Sequence, residues 1–203
     1  MLNKLRILLY IPQLIFPALA FSVVRKEDKI EKDIFGWKKQ FKIAGTNNFR
    51  AFLYLMVNFK DFRNLFYFRL KCIAKHKQET AIKRSLVICF MFLSEITLKK
   101  YSTLLISGEI GGGLVLIHAY YSILSPKKLG ENCKIWHEVT IGFRDNIAPI
   151  IGDNVQISPG AKIIGDIQIG NNSKIGPNAL VIESIPENSV VISAKGTILK
   201  TAN

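Results

Sequence analysis

Two histidines stand 19 residues apart in the second half of the chain: His118, directly after Ile117, and His137, within Trp136-His137-Glu138. A neutral imidazole accepts a hydroxyl proton near physiological pH, so each is a candidate general base. Trp136 and Glu138 flank His137, and Arg144 and Asp145 follow soon after. That mixture of aromatic and polar side chains suits an acceptor rich in hydroxyl groups. The third histidine, His76, lies among Lys75, Lys77 and Gln78 and reads as a solvated helix end. Zinc held by three histidines is an alternative, but only two fall in this stretch. Cys72, Cys89 and Cys133 are scattered without metal-ligand spacing, so no metal is expected.

The histidines sit in a segment with a period of six. Its aliphatic positions are Ile117, Ile123, Leu129, Ile135 and Ile141, then Ile151, Ile157, Ile163, Ile169, Ile175 and Val181. Four places after most of them comes a small or aliphatic residue: Cys133, Val139, Val155, Ala161, Ile167, Ser173 and Ala179. This period marks a parallel β-helix, in which each short strand points one aliphatic residue inward and glycine or asparagine turns the corner. Three hexads make one triangular coil, so His118 and His137 are expected on the same edge, one rung apart. Gly111-Gly112-Gly113 opens the β-helix as a corner; no Lys-Ser/Thr follows, which argues against a phosphate-cradling loop. Between Ile141 and Ile151 there are ten steps where six would serve, so residues 143–150 should protrude as a loop.

The chain has 203 residues and a formal charge of +13, all of it from the first half. Residues 1–102 carry twenty Lys and Arg against seven Asp and Glu, while residues 103–203 balance at eight and eight. No nucleic-acid motif accompanies the basic half, and its long apolar runs suit anionic lipid better. The uncharged stretch 7–24 follows Lys4 and Arg6 and contains Pro12 and Pro17. A signal peptide with Ala18-Leu19-Ala20 as its cleavage site, a marginal spanning helix, a helix lying in the membrane interface and simple docking on the chain's own core all fit; the interface is favoured. Helices are expected around Ile30, Ile34, Trp37 and Phe41, from Phe49 to about Phe59, from Asp61 to Lys77, and from a Thr80 cap through Lys100. The centre of the last, Leu86 to Leu93, is apolar all round and should be buried in protein or lipid. The division is therefore a basic helical region, 1–102, and a β-helix, 103–203. The odd, scattered cysteines point to a reducing compartment, hence the cytoplasm, with the basic half at the inner face of the plasma membrane.

Gly111-Gly112-Gly113-Leu114 leading to His118, then Val139-Thr140-Ile141-Gly142, Ile151-Gly152-Asp153-Asn154-Val155 and Gly160-Ala161-Lys162-Ile163-Ile164-Gly165-Asp166, resembles the serine acetyltransferase group of hexapeptide acyltransferases over roughly Ile106 to Ile192. More loosely, Arg63-Asn64-Leu65-Phe66-Tyr67 and the basic apolar start are similar to members encoded with capsular and exopolysaccharide genes. The colanic acid acetyltransferases form another similar branch, also with a histidine at the His137 position. The resemblance implies a left-handed β-helix, a homotrimer, and acetyl-CoA lying in the cleft between subunits. It implies that His118 deprotonates the acceptor hydroxyl, that Gly142, Ser158, Pro159, Gly160 and Ala161 line the pantetheine channel, that Lys174 meets a CoA phosphate, and that Pro177 borders the nucleotide end.

The sequence departs from that pattern in several places. Asn146-Ile147-Ala148-Pro149 replaces the group's Asp-Arg-His-Pro, Ile117 replaces an acidic residue, and the carboxylate that orients the histidine falls at Thr103. Glu109 is the nearest acidic candidate. Loss of carboxylates that would hold a free amino acid favours a sugar hydroxyl of a surface polysaccharide as acceptor, with His118 and His137 as catalytic residues and Trp136, Glu138, Arg144 and Asp145 binding the sugar. L-serine is the alternative acceptor, and a non-catalytic membrane-associated scaffold the alternative class.

Overall fold

The structure, a computed structural model, describes residues 10–194. Helices come first: α1 (Ile11–Val24), α2 (Asp28–Gln40), α3 (Asn48–Asn58), α4 (Lys60–Lys75) and α5 (Ala81–Thr97). Capping sets two of the starts. The Asn47 side chain accepts the Arg50 N–H (2.9 Å), and the Thr80 hydroxyl accepts the Lys83 N–H (3.2 Å). Aromatic rings fill the space between helices. Trp37 packs against Phe41, Phe59 and Phe62, and Phe52 stacks on Phe21 with 4.4 Å between ring centres. Residues 7–9 of the uncharged stretch, with Lys4 and Arg6, lie outside the described residues. The rest of it, as α1, docks on the chain's own core through Leu14, Ala20, Phe21 and Val24, while Ile15 and Leu19 stay exposed. Among the described residues no helix is long and apolar enough to cross a membrane.

The centre of α5, expected to be buried in protein or lipid, meets protein on one side. Its apolar centre is not enclosed by protein: Val87 is buried, but Leu86, Ile88 and Phe92 are exposed, Phe92 at 65%. The helix is held from one side only, by α1 and α4. The Tyr67 hydroxyl of α4 lies within hydrogen-bonding distance of the Ser94 and Leu98 carbonyls, which fixes the end of α5. Arg63 and Asn64, from the same Arg63-to-Tyr67 run, are also structural. Arg63 donates to the carbonyls of Met56 and Val57 at the end of α3 and of Lys99 after α5. Asn64 brackets Tyr101, donating to its carbonyl and accepting its N–H.

Among the described residues, fourteen short strands then wind into about five coils. Sheet A stacks β1 (Leu104–Ile106), β4 (Ser122–Leu124), β7 (Thr140–Gly142), β10 (Lys162–Ile164) and β13 (Leu180–Val181). Sheet B stacks β2 (Glu109–Ile110), β5 (Lys128–Leu129), β8 (Ile150–Ile151) and β11 (Gln168–Ile169). Sheet C stacks β3 (Val115–Leu116), β6 (Lys134–Ile135), β9 (Gln156–Ile157), β12 (Lys174–Ile175) and β14 (Val190–Val191). Every pairing between these strands is parallel. From Leu129 to Val181 the hexad aliphatics point inward, with Cys133, Val139, Val155, Ala161, Ile167, Ser173 and Ala179 filling the corners behind them. Asparagines carry one corner: Asn132, Asn154, Asn172 and Asn188 all have φ between 56° and 59°. Asn154 donates to Asn172 and Asn172 to Asn188, each at 3.1 Å, a ladder along that edge.

The phase of the first coil is corrected. Its inward residues are Leu104, Ile110 and Leu116, with Leu124 opening the second coil; Ile117 is half-buried and Ile123 is 46% exposed. From Leu116 to Ile123 the chain takes seven steps, whereas from Ile135 to Thr140, their register partners one coil on, it takes five. Two residues have been inserted at that corner. The β-helix also begins before the triple glycine, at Leu104.

A solenoid must satisfy the free edge of its first coil, where backbone groups have no neighbouring strand. Here helical side chains do so. Trp37 Nε1 donates to the Leu114 carbonyl (2.9 Å), Lys29 to that of Ile110 (3.0 Å), and Arg69 to those of Ile110 and Gly111. Asp33 accepts from Gly113 N (2.8 Å) and Leu114 N (3.1 Å) while paired with Arg69, and Asp61 accepts from Ala119 N (2.7 Å). Gly113, at φ 77°, lies so close to Asn132 that a Cβ there would sit 2.3 Å from its Oδ1. The triple glycine is thus a clamped corner.

Candidate active site

The two inserted residues are His118 and Ala119. Backbone hydrogen bonds identify them. Ile117 N donates to the Ile135 carbonyl as Trp136 N does to that of Ile157, so Ile117 and Trp136 are equivalent. Glu138 N donates to the Tyr120 carbonyl as Gly160 N does to that of His137, so Tyr120, not His118, takes the place above His137. The two histidines therefore share a corner, as their spacing suggested, but not a register position. Tyr120 stacks on the His137 ring, 5.5 Å between centres and 15° between planes. His118 is lifted on the bulge, exposed, with φ 50°. Ala119 points into the core with no exposed surface.

His137 is half-buried beneath Tyr120, and its Nδ1 is enclosed without a hydrogen-bond partner among the described residues. The Tyr120 ring also meets Tyr101 edge-on (6.2 Å), and Lys60 lies 5.4 Å from the centre of Tyr101. Beneath this group is Asp61, 4% exposed, with its Oδ1 on the Ala119 N–H. Burial pushes the Asp61 carboxyl above the ordinary carboxylate range, opposed by hydrogen bonds from the Ala119 N–H and its own N–H and by the nearby charge of His118. Burial likewise raises the Tyr101 hydroxyl, with Asp61 and Tyr120 adding to the shift. Nothing in the hexad pattern flagged Asp61, which lies 57 residues before His118. The phase slip between Leu116 and Leu124 was a usable signal for the bulge.

The residues named from the sequence divide into two groups. His118, then Trp136, His137 and Glu138, then Ser158, Pro159 and Gly160, then Pro177 run down one corner, between sheets C and A. Ser158, Pro159 and Gly160 are half-exposed and Pro177 is exposed, so this ridge is open along its length. Gly160 has φ 72°, and a Cβ there would come within 2.1 Å of Asn178 Oδ1; only glycine fits. Ala161 keeps its side chain wholly in the core, with its N–H pointing at the Ser158 carbonyl and its carbonyl accepting Thr140 N. It supports the ridge without facing it. Lys174 is exposed on sheet C.

Gly142, Arg144 and Asp145 belong to the opposite end of sheet A. Residues 143–150 leave there as a tight hairpin in which Arg144 and Ile147 exchange both backbone hydrogen bonds. Asp145 and Asn146, at φ 54° and 62°, form its two-residue turn, for which Asp and Asn are favoured. Arg144 packs on Gly165, so the hairpin lies back along the coil below. Within one protomer sheet A separates Arg144 and Asp145 from His118, and they do not form one site with it. Thr103 is exposed ahead of β1. Glu109 faces a different cavity of about 500 Å³, shared with Cys72, His76 and Glu79, so it is not the partner of His118.

Fold and corner together define a hexapeptide-repeat β-helix with a helical cap. The bacterial transferase hexapeptide (six repeats) family matches residues 148–183. Among curated proteins, the serine acetyltransferase of Mycobacterium tuberculosis is 34% identical over 95 residues, 44% of this chain and 42% of that one. The serine acetyltransferase of Staphylococcus aureus strain N315 is 37% identical over 97 residues, 45% of this chain and 46% of that one. The matched segment spans less than half the length of either relative. Among solved structures, serine acetyltransferase isoform 3 of Entamoeba histolytica, in complex with cysteine, superposes with a TM-score of 0.59 at 18% identity, over 93% of this chain and 73% of that one. The enzyme of Brucella abortus strain S19 in complex with coenzyme A gives 0.58 at 21% identity, over 90% and 72%. Neisseria gonorrhoeae serine acetyltransferase in complex with serine gives 0.55 at 24%, over 86% and 70%. Coils superpose only on coils of the same hand, so the winding is the left-handed one of that group, against the usual right-handed crossover. The chain is similar to the serine acetyltransferase group of hexapeptide acyltransferases.

Proposed function

We propose that this protein transfers the acetyl group of acetyl-CoA to the hydroxyl of L-serine. The relatives correct the polysaccharide reading. Those matched over the β-helix are named serine acetyltransferases, and one solved neighbour is a serine complex. The structure also weakens the argument that favoured a sugar, because the Arg63-to-Tyr67 run caps helices. The observation that carries the proposal is His118, the one histidine lifted clear of the coil at the head of an open ridge.

In the step we propose, His118 takes the hydroxyl proton as the serine oxygen attacks the thioester carbonyl. The tetrahedral intermediate then collapses, the carbon–sulfur bond breaks, and the departing thiolate recovers the proton from the imidazolium. Ser158, Pro159 and Gly160 fit a pantetheine arm, being open and free of bulky side chains, with Pro177 and Lys174 towards the nucleotide end. Gly142 stands at the other end of sheet A and fits only a cofactor reaching across from a neighbouring subunit. A homotrimer accounts for this, since a neighbour's 143–150 hairpin can bring Arg144 and Asp145 to the corner of His118, Trp136 and Glu138. His137, stacked under Tyr120, serves as a wall and a hydrogen-bonding group of the acceptor site. The test is thiol release from acetyl-CoA with L-serine against a panel of sugar acceptors. Turnover confined to sugars overturns the proposal.

A peripheral contact with anionic membrane is a separate proposal, supported by the outward face of α5. Ile82, Leu86, Phe92 and Ile96 are 76%, 41%, 65% and 60% exposed, in a region whose lysines and arginines far outnumber its acids. That contact would hold the protein at the inner face of the plasma membrane.

A further inference from the structure

We infer that Asp61 is the positioning residue of this site: from the helical region it fixes the bulge that carries His118 and sets a carboxylate beside the imidazole. The inference rests on the general-base reading of His118. Three observations carry it. First, the bulge breaks the coil's hydrogen bonding, and Ala119 N at its centre is met by Asp61 Oδ1 at 2.7 Å, a buried bond. Second, the residue bearing that N–H is adjacent to His118, so a carboxylate anchored there is close enough to feel the charge on the ring. Third, Asp61 is 4% exposed in the first turn of α4 and, unlike Asp33 with Arg69, forms no ion pair among the described residues.

A buried carboxylate with no cation beside it is costly, and the bulge alone does not require a charge, since any oxygen acceptor would satisfy Ala119 N. An imidazole that becomes imidazolium during the reaction supplies the missing positive charge at the moment it is needed. The other ionisable groups around this pair are Lys60, Arg63, Tyr101, Tyr120 and His137. Arg63 is committed to three carbonyls. Lys60 lies over the Tyr101 ring.

The experiment compares Asp61→Asn with the parent in the full chain. Asn keeps an oxygen for Ala119 N and removes the charge. The expected result is a fall in kcat of about tenfold or more with KM for acetyl-CoA within about twofold, because removing an adjacent opposite charge moves a proton equilibrium by roughly a unit or more. The KM for L-serine should likewise stay within about twofold in Asp61→Asn, so that the loss falls on kcat alone. A purely structural Asp61 would leave kcat where it is in folded Asp61→Asn, and this result overturns the inference. Should Asp61→Asn not fold, Asp61→Glu displaces the charge by one methylene; lowered kcat in folded protein supports the inference, unchanged kcat overturns it. Failure of the underlying reading looks different: His118→Ala would then keep full turnover.

Discussion

Asp33 lies 2% exposed at the joint between the helices and the first coil, and its removal is the sharpest test of how that joint works. Its two oxygens take Arg69 Nε and Nη2 at 2.8 and 3.1 Å, and Oδ1 also takes Gly113 N and Leu114 N. Asp33→Ala leaves a guanidinium, 4% exposed, without its counter-charge and two buried N–H groups without an acceptor. Breaking a buried pair from one side costs about 3–5 kcal/mol, and each orphaned donor about 1–3, with overlap between them. We expect about 4–6 kcal/mol, a large share of the roughly 5–15 kcal/mol that stabilises a domain. Arg69→Met alongside Asp33→Ala removes the stranded charge but also the donors to the Ile110 and Gly111 carbonyls, so the double variant should recover only part of the loss of Asp33→Ala. Asp33→Asn, which keeps an acceptor for the two N–H groups, should fall between Asp33→Ala and the parent. Urea unfolding followed by circular dichroism measures all of these. A loss under about 1 kcal/mol for Asp33→Ala, or a double variant less stable than that single one, refutes the reasoning.

His118→Ala should lower kcat for acetyl-CoA-dependent turnover by about a hundredfold to ten-thousandfold, with stability unchanged because the side chain is exposed; thiol release and a thermal melt check both. Cys133 is in the core and burial pushes its thiol up to about 12, whereas Cys72 and Cys89 are exposed. A thiol reagent at neutral pH should therefore label the latter two in the native protein and Cys133 only after unfolding. Asp61 has a folded-state pKa above its unfolded one, so the folded state holds that proton more tightly between the two values. Its contribution to stability falls as pH rises through that window and is greatest below it. In Asp61→Asn the pH dependence of the urea midpoint should lose that fall. Phe92→Glu with Ile96→Glu should abolish flotation with vesicles rich in phosphatidylglycerol while leaving turnover intact; parent protein that never co-floats refutes the membrane contact.

The six-residue period by itself determined the β-helix, because each hexad needs one inward aliphatic residue and a corner that tolerates positive φ. From Leu129 onward every such position faces the core. The cap at Thr80 and the helical spacing of Ile30, Ile34 and Trp37 were equally local, hence readable. What the chain order concealed was long-range. Whether His118 or Tyr120 stands over His137 depends on two inserted residues, which show only once strands are put in register. Whether Arg144 can reach His118 depends on which corner each occupies, a question of winding rather than of spacing. Asp61 meets Ala119 only because α4 packs across the open end of the first coil, and no periodicity in either segment encodes that meeting. Local geometry is written in neighbouring residues, but the partner of a buried charge is chosen by packing.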